Sequence, residues 1–400
     1  VITIERLGHL GDGLAGELRI PRVLPGEVVE LIDGQARIIA PSAQRVAAPC
    51  RHYKTCGGCA LQHADDALVA DFKQDVVRRA LAARRIDAPL RAVLTSSPRT
   101  RRRAALSGRR LKSGAVVGFH ARASDTVIAT PDCHLLTPAI LAALPALTLL
   151  TEAACSRKGE MSLHVTDSAT GLDVLATGGR ALDLDLRMTL ARIAQGWARL
   201  TYGDETVFQA EPPRLTLGRA PVTPPPGAFL QATMAGEAAL VSAMREAVGG
   251  AGRVADLFAG CGTFALPLSE TAEVHAVEGS RSLLAALDGG WRSAQGLHRI
   301  TTETRDLFRN PLLPDELARF DAVVIDPPRA GAESQTREIA RARVPIVGAV
   351  SCNPVTFARD AEMLVQAGYR LDWVQVVDQF RWSPHVELAA RFALLHIAAK

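Results

Sequence analysis

Aromatic side chains are scarce in this 400-residue chain, 4% of the total, which argues against a binding module built mainly from stacked aromatic platforms. Lysine is scarcer still, with five positions (54, 73, 112, 158 and 400) among 46 basic residues. The chain is rich in alanine, so that bias speaks of genome composition as much as of function. No internal repeat or low-complexity tract is present. No apolar run reaches the roughly 20 residues of a membrane span; the most apolar stretch, Leu135 to Leu150, contains Pro138 and Pro145 and reads as a buried helix. Val1 to Arg6 lacks the basic start and apolar run of a secretory or transit segment. A cytoplasmic chain is therefore expected, with no membrane contact and no protein partner implied. The seven cysteines should then be thiols, ligands or catalysts rather than disulfides.

What is present is ample core material, 48% hydrophobic residues against 22% charged, in a length that suggests two or three domains. The net charge of +4 is unevenly spread. Between Lys73 and Lys112 stand 13 basic residues and two acidic ones, Asp75 and Asp87, so this stretch carries +11 and the remainder is net acidic. Its densest part, Arg99 to Lys112, holds seven basic residues and no acid. Such an excess suits a polyanion partner, and equally a solvated face.

Residues 1–49 read as short strands punctuated by Gly11-Asp12-Gly13 and Pro25-Gly26, a small β-barrel. A helix is expected over Asp65–Ala83, and a mostly antiparallel layer with strands at 115–120 and 163–166 follows from Arg101 to about Ala210. Pro221 to Gly227 marks a boundary. Beyond it, strands at 254–258, 274–277, 322–325 and 345–350 alternate with helices at 237–248 and 333–343, the rhythm of an open parallel sheet. The expected division is 1–49, 50–225 and 226–400.

Asp256-Leu-Phe258-Ala-Gly260-Cys-Gly262 carries a strand into a glycine turn, and Glu278 ends the next strand, 18 residues after Gly260. The glycines let backbone approach a ligand, and the acid suits ribose hydroxyls. Gly260-x-Gly262-x-x-Ala265 also passes a relaxed dinucleotide pattern, so this loop alone fits either a NAD enzyme or a methyltransferase. Further on, Asp326-Pro-Pro-Arg329 and Ser351-Cys352-Asn353-Pro354 each follow a buried strand, at the edge of the sheet where ligands bind. Cys352 there is placed for attack rather than packing, and Glu387 in His385-Val386-Glu387 is a candidate general base. Cys50-x5-Cys56-x2-Cys59 with a distant Cys133 is unlike the paired knuckles of structural zinc and close to the ferredoxin style of iron–sulfur ligation.

In order, Phe229-Leu-Gln231, the Asp256–Gly262 loop, Asp326-Pro-Pro-Arg, Ser-Cys352-Asn-Pro and His-Val-Glu387 resemble the motif set of the RNA uracil-5-methyltransferases. The resemblance implies an α/β chain: a Rossmann-like methyltransferase domain at the C-terminus, a central α+β domain and a barrel similar to the family's TRAM domain. It implies Cys352 as nucleophile and Glu387 as base. It also implies S-adenosylmethionine held by Gln231, Phe258, Gly260, Gly262, Glu278 and Asp326, with Asp306 on the adenine side. The four cysteines match the 4Fe–4S ligands of the cluster-containing branch (Cys50, Cys56, Cys59, Cys133). The implied partner is RNA, with large-subunit ribosomal RNA ahead of transfer RNA. Where the family commonly has Gln-x-Asn, this chain has Gln231-Ala232-Thr233, and Arg381-Trp382-Ser383 also departs from the usual run. The rival readings are a NAD-dependent iron–sulfur oxidoreductase, which gives Cys352 and Glu387 no role, and a non-catalytic RNA-binding protein.

Overall fold

The computed structural model describes residues 1–395. The N-terminal stretch forms two small antiparallel sheets, Ile2–Thr3 with Val28–Ile32 and Gln35–Ala40, and Arg6–Leu7 with Gly13–Ala15 and Leu18–Ile20. Ile4, Ile20, Val23 and Val29 give them a core of their own. Glu27, wholly buried, fastens this module by accepting from the backbone of Leu24 at 2.8 Å and from Arg45 Nε at 2.5 Å.

The middle of the chain builds a seven-stranded sheet, antiparallel except where Gly171–Thr177 runs alongside Arg199–Tyr202. The apolar stretch after Leu135 is indeed a helix, Pro138–Ala154, with Ile140, Leu147 and Leu150 buried against this sheet. Pro138 opens it at a position where the missing N–H costs nothing.

The C-terminal sheet has eight strands in the order Ile300–Thr304, Glu273–Glu278, Arg253–Leu257, Ala322–Ile325, Ile346–Ser351, Glu387–Leu394, Tyr369–Asp378 and Leu90–Thr95. The first five are parallel, and Glu387–Leu394 runs against them. Ala322–Ile325 is buried on both faces, which is why it reads as an unbroken apolar run rather than an alternating one. Chain order reverses on either side of Arg253–Leu257, so the loops after Leu257 and Ile325 diverge and leave a crevice at the carboxyl edge.

Two elements lie elsewhere than the sequence suggests. Residues 66–95, inside the expected division 50–225, join the C-terminal sheet and the helices beside it. Strand Leu90–Thr95 pairs with Tyr369–Asp378, and helix Asp66–Ala82 packs against helix Pro354–Gln366. Asp65 caps that helix by accepting from Leu68 N–H at 2.7 Å. Its buried side is Val69, Phe72, Lys73, Val77 and Leu81, helical spacing with one charge inside it. Among the described residues no helix is long and apolar enough to cross a membrane.

Candidate active site

The glycine loop leaves the strand at Leu257 and turns through three left-handed residues: Phe258 at φ 63°, Gly260 at 57° and Gly262 at 95°. A phenylalanine in that region is strained, a feature that clusters at ligand sites. A Cβ on Gly260 would meet open space, whereas one on Gly262 would come within 2.9 Å of Leu266 and Leu287. The first glycine is therefore required by backbone angle, the second by room as well. Glu278 steadies the turn, accepting from Gly260 N–H at 3.1 Å and Ser280 N–H at 3.0 Å. Asp306 is exposed, accepting from Phe308 N–H at 3.0 Å, and directly follows Arg305, whose N–H bonds Glu278 O at 3.0 Å. The Phe308 ring reaches back to Phe258, centroids 5.3 Å apart.

Three carboxyls gather beneath this edge. Asp256 is wholly buried and neither oxygen has a hydrogen-bond partner. Burial, and then the Asp326 charge, push it well above the usual carboxylate range. Asp326 follows its strand directly, its N–H bonded to Leu257 O at 3.2 Å, and burial raises it too. Glu387 is raised by burial and by Asp326, while a hydrogen bond from Gln379 works the other way. Cys352 faces the same group. Burial, then the charges of Glu387 and Asp326, push its thiol up to about 11, opposed by Arg329. The sequence-predicted residues Asp326, Cys352 and Glu387 thus act on one another electrostatically.

Gln231 joins them indirectly. It is buried, and its Oε1 accepts from Gln379 Nε2 at 2.5 Å, while the same nitrogen donates to Glu387 Oε2 at 3.1 Å. Thr233, standing where the family has asparagine, is committed elsewhere. It caps helix Met234–Ala247, accepting from Gly236 N–H at 2.9 Å, and bonds Ser96 at 2.7 Å.

A cavity of about 490 Å³ opens beside Cys352, within the range of small-ligand sites. Arg329 and His385 line it from the C-terminal domain, and Arg6, His9 and Arg19 from the N-terminal sheets. The barrel's contribution is not legible in sequence, because nothing local marks a hairpin that wraps onto a site more than 300 residues away.

The loop before Glu387 is pinned from two sides. Lys73, wholly buried, bonds Asp378 and donates to Phe380 O at 3.1 Å. Trp382, left-handed at φ 58°, accepts from Ala60 and Leu61 N–H at 2.8 and 3.0 Å, so the cysteine segment holds it as well.

Cys50, Cys56, Cys59 and Cys133 are free thiols. Among the described residues no three His, Cys, Asp or Glu side chains are spaced to hold one metal ion as they stand. The charges of the four nonetheless act on one another. Burial raises Cys50, Cys56 and Cys59, the last to about 12, and the charge of Cys133 raises each of them further. Burial lowers the Arg101 pKa, and the charges of Cys133 and Cys59 pull it back up. Backbone N–H groups point at two of the sulfurs, Gly58 to Cys56 at 3.4 Å and Leu135 to Cys133 at 3.5 Å. A Cβ on Gly57 would come within 2.9 Å of His120 O, which explains the small residue beside Cys56.

The arginine run divides. Arg102 pairs with buried Glu237 at 2.5 Å, and Arg109 with Glu160 at 2.6 Å. Arg101 lies 5.9 Å from the Phe380 ring and Arg103 5.0 Å from exposed Phe229. Arg99, Arg110 and Lys112 are exposed. Much of the run is internal structure, and three charges face solvent.

A family model described as tRNA (Uracil-5-)-methyltransferase matches residues 291–393. A protein of Mesorhizobium japonicum named as an uncharacterized RNA methyltransferase is 44% identical, over 97% of this chain and 96% of its own. The 23S rRNA (uracil(1939)-C(5))-methyltransferase RlmD of Halomonas elongata is 35% identical, over 96% of this chain and 88% of its own. The fold matches that of the Pyrococcus abyssi tRNA (uracil-54, C5)-methyltransferase with a TM-score of 0.74 at 20% identity, each chain covered to 98%. With such relatives along nearly its whole length, this chain belongs to the RNA uracil-5-methyltransferase family and is an RNA (uracil-5-)-methyltransferase.

Proposed function

We propose that the chain methylates carbon 5 of a uridine in large-subunit ribosomal RNA through a covalent bond between Cys352 and the base. The observation that carries this reading is the grouping of Cys352, Asp326 and Glu387 at one sheet edge beside the glycine loop. Carbon 5 of uracil is too weak a nucleophile to take a methyl group unaided. Addition of the Cys352 thiolate to carbon 6 gives an enolate whose carbon 5 attacks. Glu387 then removes the proton from carbon 5, and the electron pair left behind expels the cysteine. The base must leave its stack to reach these groups.

S-adenosylmethionine supplies the methyl group, on a cationic sulfonium. The residues present suit that ligand: open space before Gly260, and buried carboxyls with raised pKa at the crevice, Asp256 with neither oxygen hydrogen-bonded. A cation beside them favours the Cys352 thiolate before transfer. After transfer the sulfur is neutral, so Glu387 becomes more basic at the step in which it accepts a proton. The 35% identical relative favours ribosomal RNA as substrate.

Cys50, Cys56, Cys59 and Cys133 would hold a 4Fe–4S cluster. Support comes from their electrostatic influence on one another and the N–H groups aimed at sulfur. Such a cluster would cross-link the cysteine segment, and with it Trp382, to the loop bearing Cys133.

Nucleoside analysis of RNA from cells lacking the protein tests the substrate. One 5-methyluridine should vanish from large-subunit ribosomal RNA, and loss confined to transfer RNA would replace that assignment.

A further inference from the structure

Gln379 has no place in the motif set, yet its buried amide touches both sides of the site. Its oxygen and nitrogen can be told apart. The atom 2.7 Å from Ala232 N must be oxygen, because a backbone N–H only donates. The NH2 group therefore faces Gln231 and Glu387, at 2.5 and 3.1 Å. This fixes Gln231 with its Oε1 turned toward Gln379, so that its Nε2 is the end left to meet a ligand. It also fixes Glu387, holding Oε2 as a hydrogen-bond acceptor and leaving Oε1 outside this network.

Independent packing supports the arrangement. Gly236 lies in the first turn of helix Met234–Ala247, where alanine would be the better helix former. A Cβ there would come within 2.7 Å of Gln379 Cβ and 3.1 Å of its Oε1. The glycine makes room for this side chain and its amide.

We infer that Gln379 is a positioning residue that orients the base and the cofactor-side glutamine together, making Glu387 Oε1 the oxygen that accepts the carbon 5 proton. This rests on the reading of Cys352 and Glu387 given above. The charged and titratable groups facing Glu387 are Asp326 and Cys352, and the Gln379 amide is the neutral donor that favours its ionised form.

Gln379→Met removes the donor at nearly constant size, and Gln379→Glu keeps the acceptor for Ala232 but sets a second carboxyl against Glu387. Two RNAs serve as probes: ribosomal RNA from cells lacking the protein, and the same RNA from such cells grown with 5-fluorouracil. The fluorinated base cannot lose a proton from carbon 5, so adduct on it reports only the steps before Glu387 acts. At saturating S-adenosylmethionine, Gln379→Met should form that adduct within about twofold of wild type. Turnover on ordinary RNA at neutral pH should fall roughly 10- to 100-fold, the range of a lost bond to a charged acceptor. The acid limb of the turnover profile should move up in the order wild type, Met, Glu, by about one pH unit at the first step, because each change disfavours the ionised base. A looser fold would not produce that order. Should Gln379→Met fail to fold, the isosteric Gln379→Glu gives the same split and shift on its own.

Cys352→Ala and Glu387→Gln are run alongside. If Cys352→Ala still makes product or Glu387→Gln turns over normally, the underlying reading fails. If both are impaired while the Gln379 variants keep the wild-type limb and turnover, the role of Gln379 alone is overturned.

Discussion

Lys73→Met cuts one of the two fastenings of the loop that leads to Glu387. Lys73 and Asp378 are both essentially without solvent exposure, and the lysine also serves the Phe380 carbonyl. Burial lowers the Lys73 pKa and Asp378 pulls it back up, as expected of a cation kept charged by its partner. Removing one partner of such a pair leaves the other buried and alone, at a cost of about 3–5 kcal/mol. At about 2–4 °C per kcal/mol, the melting temperature should fall roughly 6–20 °C. Asp378→Asn should cost less, because the asparagine oxygen can still accept from Lys73, whereas Lys73→Met leaves Asp378 with no side-chain partner. The double change Lys73→Met, Asp378→Leu should recover at least about 2 kcal/mol of the summed losses, since no charge is then stranded. Thermal and urea unfolding of the four proteins give the coupling directly. A Lys73→Met protein within 1 kcal/mol of wild type, or strictly additive losses, would mean that this pair fastens nothing.

Arg110→Ala and Lys112→Ala should each flatten the salt dependence of RNA binding by roughly one unit of slope if they meet phosphates, leaving stability unchanged. Arg102→Ala should do the reverse, lowering the melting temperature because it strands buried Glu237. Anaerobically purified protein should be brown with about four irons per chain, and Cys56→Ser should bleach it; stoichiometric zinc without iron would remove the cluster from this protein. S-adenosylmethionine should be preferred over its neutral product increasingly as pH rises. The carboxyls of Asp326 and Glu387 titrate above their ordinary range, and their ionised forms favour the sulfonium. Binding the cation should therefore release protons, detectable by calorimetry in buffers of different ionisation enthalpy, and a pH-independent preference would contradict this.

The parallel strands were legible because burial on both faces leaves unbroken apolar runs, and the helix at 66–82 because its capping Asp65 and apolar spacing are local. Strand Leu90–Thr95 was not, since a half-exposed edge strand carries no mark of a partner some 280 residues away. Asp326, Cys352 and Glu387 stood out because each lies at the end or start of a core strand with turn-forming neighbours. Gln379 did not: a lone amide in a loop becomes informative only when Ala232, Gln231 and Glu387 are seen around it. The arginine run was legible only as a whole, since composition cannot separate Arg102, whose acid is 135 positions later, from exposed Arg110. The barrel's reach over the cavity is likewise a property of packing alone.

The order of bond making gives the most direct test. Cys352 must bond to the base before methyl transfer, and Glu387 acts only after it. Glu387→Gln should add to the RNA and methylate it, then release product about 10²–10⁴-fold more slowly. With labelled methyl on S-adenosylmethionine, that variant should accumulate a protein–RNA complex that carries label and survives a denaturing gel. The Cys352→Ala, Glu387→Gln protein should form none. A Cys352→Ala protein that still makes 5-methyluridine would contradict the covalent mechanism outright.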